Sequence, residues 1–232
     1  MQSTPTNSLQ RTLAAMQLMD SALPTGAFSH SFGFETYMHR GDITNAESFA
    51  RWLEVFCREQ LTFTDAVIVR EVFEAENFAE IIALDHLVRA QAVPGQVRHA
   101  GRTMGVRMLE IASEGYSSQW LSEYQVCVEK HLAVGHPALV WALVARDLGF
   151  EVAEAVAQHL YATVISLIQN AVRAVPIGQN AGQRLATQAQ EWVSEAVETS
   201  AELGLEDLGA ITPGLEIAQM QHENQRVRMF MS

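Results

Sequence analysis

The segment from Glu151 to Ala174 constrains this chain more than any other. Between Ala155 and Val172 it carries no Asp, Glu, Lys or Arg, yet Gln158, His159, Thr163, Ser166, Gln169 and Asn170 interrupt its apolar run. A membrane-spanning helix wants about 20 predominantly apolar residues. A long helix that is apolar on most of its circumference but dotted with polar side chains belongs instead at the centre of a bundle, wrapped by other helices. The rest of the chain must supply those helices.

Its apolar spacing does so. Thr44-Asn45-Ala46-Glu47 has the form of a capping box, and Phe49, Trp52, Leu53 and Phe56 follow on one helical stripe. Asn77 caps a segment with Ile81, Leu84, Leu87 and Val88 pointing one way, and Val93-Pro94-Gly95 ends it. A helix is expected over 96–113, carrying Arg98, Arg102 and Arg107 beside Met104, Met108 and Ile111. Ser117 or Ser118 opens the next, with Trp120, Leu121, Tyr124 and Val128 inward. Pro137 suits the first position of another, which Gly149 closes in the left-handed conformation. Pro176-Ile177-Gly178 breaks the long segment before a helix through Leu185, Ala189, Trp192 and Val193. The β-branched run Val67-Ile68-Val69 also reads as helix from its flanks, and no period-2 segment is sustained. The chain reads as a single all-α domain over 1–232, a helical bundle of about ten helices with a long central helix. Residues 1–20 and 205–232 read as flexible segments, the latter able to form a helix from Met220 to Met231 on binding.

Charge narrows the function classes. The 232 residues carry a formal charge of −12, with Lys130 the only lysine, which argues against nucleic-acid binding. Cys57 and Cys127 form no CxxC or Cys/His motif, so a reducing, cytoplasmic setting is expected. Residues 1–20 lack the uninterrupted apolar core of a signal peptide, and no membrane association is expected.

No active site assembles from the motifs. His222-Glu223 begins an HExxH zinc pattern, but Arg226 stands where the second histidine should be. No histidine has a glutamate three positions before it, as a di-iron bundle requires. Ser29 and Ser31 flank His30 without a GxSxG elbow, and there is neither GxxxxGK[ST] nor GxGxxG. Cys57 beside the core-facing Phe56 reads as structural, and Gly178-x-x-x-Gly182 is a helix-packing spacing. The expectations are therefore a non-enzyme, no cofactor and no fixed metal site.

Three segments exceed what a helical bundle needs. The first is DSALPTGAFSHSFGFET over 20–36, which sets Pro24, Gly26, Phe28, His30, Ser31 and Glu35 into a loop and helix start. The second is the junction containing Arg173, Pro176, Gly178, Gln179 and Gln183, either a capped kink or a recognition patch. The third is the tail from Ile211, where Met220, Met229, Phe230 and Met231 accompany His222, Glu223, Arg226 and Arg228. Termini ordinarily fray into polar residues. This one reads as an element that orders on a partner or docks on its own core.

Together SALPTGAFSHSFGFE, RHAGRTMGVRML, RAVPIGQNAGQ and PGLEIAQMQHENQRVRMFMS, in that order, resemble the urease accessory protein UreF family. Glu216 departs from an aspartate that relatives favour, which keeps the charge. The resemblance implies an all-α, non-enzymatic homodimer. It implies a complex with the accessory protein UreD, also called UreH, and the GTPase UreG on apo-urease, assisting GTP-dependent nickel insertion. On that analogy Pro24, Gly26, Phe28, His30, Ser31, Glu35, Met220, His222, Glu223, Arg226 and Phe230 bind UreD. Arg173, Pro176, Gly178, Gln179 and Gln183 then form a GTPase-facing or dimer patch. The competing readings are an all-α metal-binding enzyme and a free nickel carrier, each using His30 and His222.

Overall fold

The computed structural model describes residues 8–209 and 212–232, and every regular element among them is helical. Residues 1–7 of the expected flexible N-terminal segment, and Ala210 and Ile211 of the C-terminal one, lie outside the described residues. The chain runs α1 (Ser8–Leu18), α2 (Phe34–Arg40), α3 (Ala46–Val55), a π-helical segment (Phe56–Ala66), α4 (Val67–Glu74), α5 (Phe78–Gln91) and α6 (Gly95–Gly115). It continues through α7 (Gln119–Glu129), α8 (Pro137–Asp147), α9 (Val152–Ala174), α10 (Gln179–Ser200) and α11 (Pro213–His222). The all-α expectation holds.

The uncharged segment is α9. It packs against α10, the π segment, α8 and α4, and no residue from Ala155 to Val172 is exposed. Its neighbour α8 is enclosed more completely still, with every residue from Ala138 to Ala145 buried. Trp141 at its middle donates from Nε1 to the Ala155 carbonyl at 2.9 Å, so the one polar group of the largest buried side chain is satisfied. Helix α10 comes close to α9 because Gly182 carries no side chain. A Cβ there would stand 2.9 Å from Val172 Cγ2. Of the Gly178-x-x-x-Gly182 pair only Gly182 packs, while Gly178 is the exposed N-cap of α10.

The caps follow the sequence with one correction. Asn77 caps α5 as expected, Ser118 of the two candidate serines caps α7, and α8 starts at Pro137 as expected, with His136 ahead of it as the cap. At α3 the box is displaced by one residue. Asn45, not Thr44, is the N-cap; its side chain accepts from Ser48 N at 3.0 Å, and Ser48 Oγ accepts from Asn45 N at 3.1 Å. Asparagine outranks threonine at this position, and Ser48 returns the bond that Glu47 was expected to make. Gly149 takes φ 74° beyond α8, as its position predicts.

The π segment is the fold's departure from ordinary helical spacing. Phe56, Leu61 and Ala66 are buried at five-residue intervals, and so are Cys57, Thr62 and Val67. That interval is the signature of i to i+5 winding, which is rare and recurs at functional sites. Toward the C-terminus the helix of the isolated chain is Pro213–His222, and Glu223 to Ser232 runs on without regular structure.

Candidate functional site

The loop before α2 and the tail after α11 form one interlocked unit. Gly26 at φ 88° starts a short turn over Ala27–Ser29, with Pro24 exposed on its outer side. Gly33 at φ 102° opens α2, and a Cβ at that position would lie 2.9 Å from Gln219 Cγ of α11. Only glycine combines that backbone angle with so close an approach. The tail then closes over the loop. Ser31 donates from N and Oγ to a Ser232 main-chain oxygen at 2.6 and 2.7 Å, and Met231 N donates to Ser29 O at 2.8 Å. His30 Nδ1 lies 2.8 Å from Ser232 Oγ.

Glu35 is the centre of this unit. Its buried carboxylate accepts from Met229 N at 2.6 Å and from Phe230 N at 3.1 Å, and it lies 2.7 Å from His222 Nε2. Gln96 at the start of α6 sets the histidine tautomer. With its amide assigned so that nitrogen meets acceptors and oxygen meets a donor, the nitrogen lies 2.7 Å from His222 Nδ1 and 3.2 Å from Met231 O, and the oxygen accepts from Arg228 at 2.6 Å. His222 Nδ1 therefore accepts, and Nε2–H donates to Glu35. Glu223 accepts from Gln96 N at 3.2 Å with Oε1, placing a carboxylate on the N-terminal end of α6. A buried carboxylate with three donors is a stable arrangement, and a costly one to break singly.

The junction residues divide. Arg173 joins the loop–tail unit, donating to Phe28 O and to Asn170 Oδ1 and lying over the Phe28 and Phe230 rings at 5.9 and 5.8 Å. Asn170 in turn donates to Ala27 O at 3.1 Å and His30 O at 2.8 Å. Pro176, Gly178, Gln179 and Gln183 are exposed at the α9–α10 turn, anchored by buried Val175 and Ile177. Phe230 is buried edge-on against Phe34 at 5.2 Å. Around this anchor Phe28, Val227, Met229 and Met231 are 62%, 76%, 62% and 61% exposed, and Met220 and Arg226 are exposed too.

Behind the loop lies a cavity of about 190 Å³ between the π segment, α6, α9 and α11. Asp65, from the π segment, meets His159 of α9 at 2.8 Å on its wall. Burial alone would raise the Asp65 pKa, but the His159 hydrogen bond and charge, helped by His136 and Thr64, hold it down at about 2. Burial, aided by the charge of His99, lowers the His30 pKa to about 4. His136 is lowered by burial, with Asp65 opposing. Asp20, Asp65 and Glu216 line the cavity with no Lys or Arg, so it disfavours anions.

Sequence reasoning missed Asp65, His159 and Gln96. Nothing local distinguishes Gln96, whose partners come from 126 positions away or more distant segments. Cys57 is fully buried, and burial pushes its thiol up to about 12, which fits a structural role. His222 has both ring nitrogens engaged by protein, and His30 has Nδ1 so engaged. Among the described residues no group of three His, Cys, Asp or Glu side chains is arranged to hold a metal, and no helix is long and apolar enough to cross a membrane.

Residues 43–190 match the family model described as UreF. The chain is 65% identical over 224 residues to the urease accessory protein UreF of Corynebacterium efficiens, covering 97% of this chain and 98% of that protein. It is 54% identical over 230 residues to the protein of the same name from Kocuria rhizophila, covering 97% and 98%. For the namesake from Arthrobacter sp. the figures are 51% over 220 residues, 95% and 96%. On this similarity, which covers nearly the whole chain, the chain belongs to the UreF family.

Proposed function

We propose that this chain is a urease maturation protein that works by assembly rather than catalysis. It joins UreD to the loop–tail face, recruits the GTPase UreG, and as a homodimer brings both to apo-urease in the cytoplasm for nickel insertion. The relatives named urease accessory protein UreF support the urease role. The observation that carries the docking role is the face itself. Phe28, Val227, Met229 and Met231 stand exposed around the buried Phe230 and Glu35 anchors. An apolar rim on a hydrogen-bonded base suits a partner surface better than solvent. Pro24, Gly26, His30, Ser31, His222 and Glu223 shape that base, with Met220 and Arg226 at its edge. The exposed Pro176, Gly178, Gln179 and Gln183 turn remains available to UreG or to a second copy, and Arg173 supports the first face.

Co-purification with UreD and UreG tests this. Met229→Glu with Met231→Glu alters only exposed side chains. It should leave the melting temperature within a degree or two and abolish UreD capture. Normal assembly by this variant would refute the docking assignment. Removing everything from Pro213 is a poorer test, because it also strips buried Leu215, Ala218 and His222 from the core.

A further inference from the structure

The cavity behind the loop has the make-up of a small-molecule site. Its walls are mostly apolar, with Phe32, Phe56, Leu61, Met104, Met108 and Leu167 among them, and a few polar groups sit between these. Concave, largely apolar pockets with a small number of fixed polar groups are where small ligands bind. The volume of about 190 Å³ exceeds the roughly 150 Å³ that suffices for a benzene ring. Asp20 and Ser21 form an exposed edge, so the cavity is open to solvent on that side.

The hydrogen-bonding capacity left over in it is mainly that of acceptors. Asp65 accepts from His159 Nε2 at 2.8 Å and from the Thr64 hydroxyl at 3.0 Å, whereas a carboxylate has room for about four donors. Gln219 donates from Nε2 to Phe32 O at 3.0 Å, which leaves its oxygen for a further donor. Burial lowers the pKa of His30 and His136, so these two lining rings are neutral at neutral pH. A charge on His159 offsets Asp65 alone, and no Lys or Arg lines the cavity to offset Asp20 and the half-buried Glu216.

We propose that this cavity binds a small organic cation, an amidinium or primary ammonium on an apolar body. Its N–H donors bond to Asp65, and its body lies against the Phe32–Phe56 pair, Met104 and Met108. The two rings stand 6.4 Å apart between centroids, and the polarizable thioethers adapt to a flat ligand. A hydrogen bond to an ionised acceptor in such surroundings is stronger than a neutral one and sets a cation above its uncharged analogue. A bare metal ion suits the site less well. Among the described residues no three His, Cys, Asp or Glu side chains converge to hold one, and the apolar walls offer it no ligands. The inference stands apart from the docking reading, whose residues lie on the outer face of the loop and tail.

Benzamidine, a flat aromatic amidinium, is the probe, and benzamide, of nearly the same shape but uncharged, is the control. Each is titrated into the full-length chain carrying carbon-13 at its methionine methyls, followed by NMR. Benzamidine should shift the methyls of Met19, Met104 and Met108, which line the cavity, and saturate at millimolar concentration. The exposed Met229 and Met231 of the tail should not respond. Benzamide should bind roughly tenfold more weakly, the loss of a charge-assisted hydrogen bond. Asp65→Asn should weaken benzamidine by a similar factor and leave benzamide unchanged, with the spectrum of the free variant showing a folded protein. Where that variant does not fold, the two ligands on the parent chain decide. Equal affinity for benzamidine and benzamide overturns the proposal. So does the lack of a saturable shift at Met19, Met104 and Met108, or a response confined to the tail methyls.

Discussion

Gly33 shows how much one backbone position decides. Its φ of 102° turns the chain from the loop into α2, and the missing Cβ lets Gln219 and Leu215 of α11 lie against the turn. Gln219 Nε2 donates to Phe32 O at 3.0 Å across the same contact. Gly33→Ala should cost about 1–3 kcal/mol, combining a disfavoured angle with a contact that must yield. The denaturant midpoint measures it, and Gly26→Ala is the control. Gly26 shares the positive angle but has nothing within 4 Å, so its loss should be the smaller. Equal losses at the two positions would assign the whole effect to the angle.

At the scale of elements, caps and winding carry the argument. Asn45 closes the start of α3 through a reciprocal bond with Ser48, and the helix then presents Phe49 and Leu53 fully buried. Asn45→Ala should cost about 1 kcal/mol in thermal or denaturant unfolding, and Thr44→Ala close to nothing. A sequence-level box starting at Thr44 predicts the reverse. The π segment that continues α3 changes the phase of the helix. It keeps Leu61 and Ala66 inward and leaves Asp65 on the cavity wall beside His159. Arg173 illustrates the same point for a helix end. It belongs by sequence to the α9–α10 junction, but the last turn of α9 points it back at Phe28 and Phe230.

For the whole molecule, acid is the sharpest probe of the packed interior. The His30 pKa falls from 6.5 to about 4 on folding, so the folded state favours the neutral ring. Its contribution is full above pH 6.5 and is lost as pH falls toward 4. The magnitude is about 2 kcal/mol once partial screening is allowed for. Asp65 falls from 3.8 to about 2, so its contribution, also about 2 kcal/mol, is present above pH 3.8 and lost below it. Unfolding midpoints measured against pH should decline in these two steps. His136, also lowered by burial, adds to the upper step, so His30→Gln should shrink that step without touching the lower one, and a single decline below pH 3.8 in the parent would remove His30 from the account. How much of this was legible beforehand follows from how local each signal is. The helices from α3 to α10, the enclosure of the uncharged segment, the cap at Asn77, the start of α8 at Pro137, and the family follow from the sequence alone. They rest on spacing, capping chemistry and contiguous motifs, all written within a few turns of chain. The clasp on Glu35, the Asp65–His159 pair and the position of Gln96 were decided only by tertiary structure. Each joins residues that are distant in sequence, and a hydrogen bond across the core leaves no periodic trace in the chain that makes it.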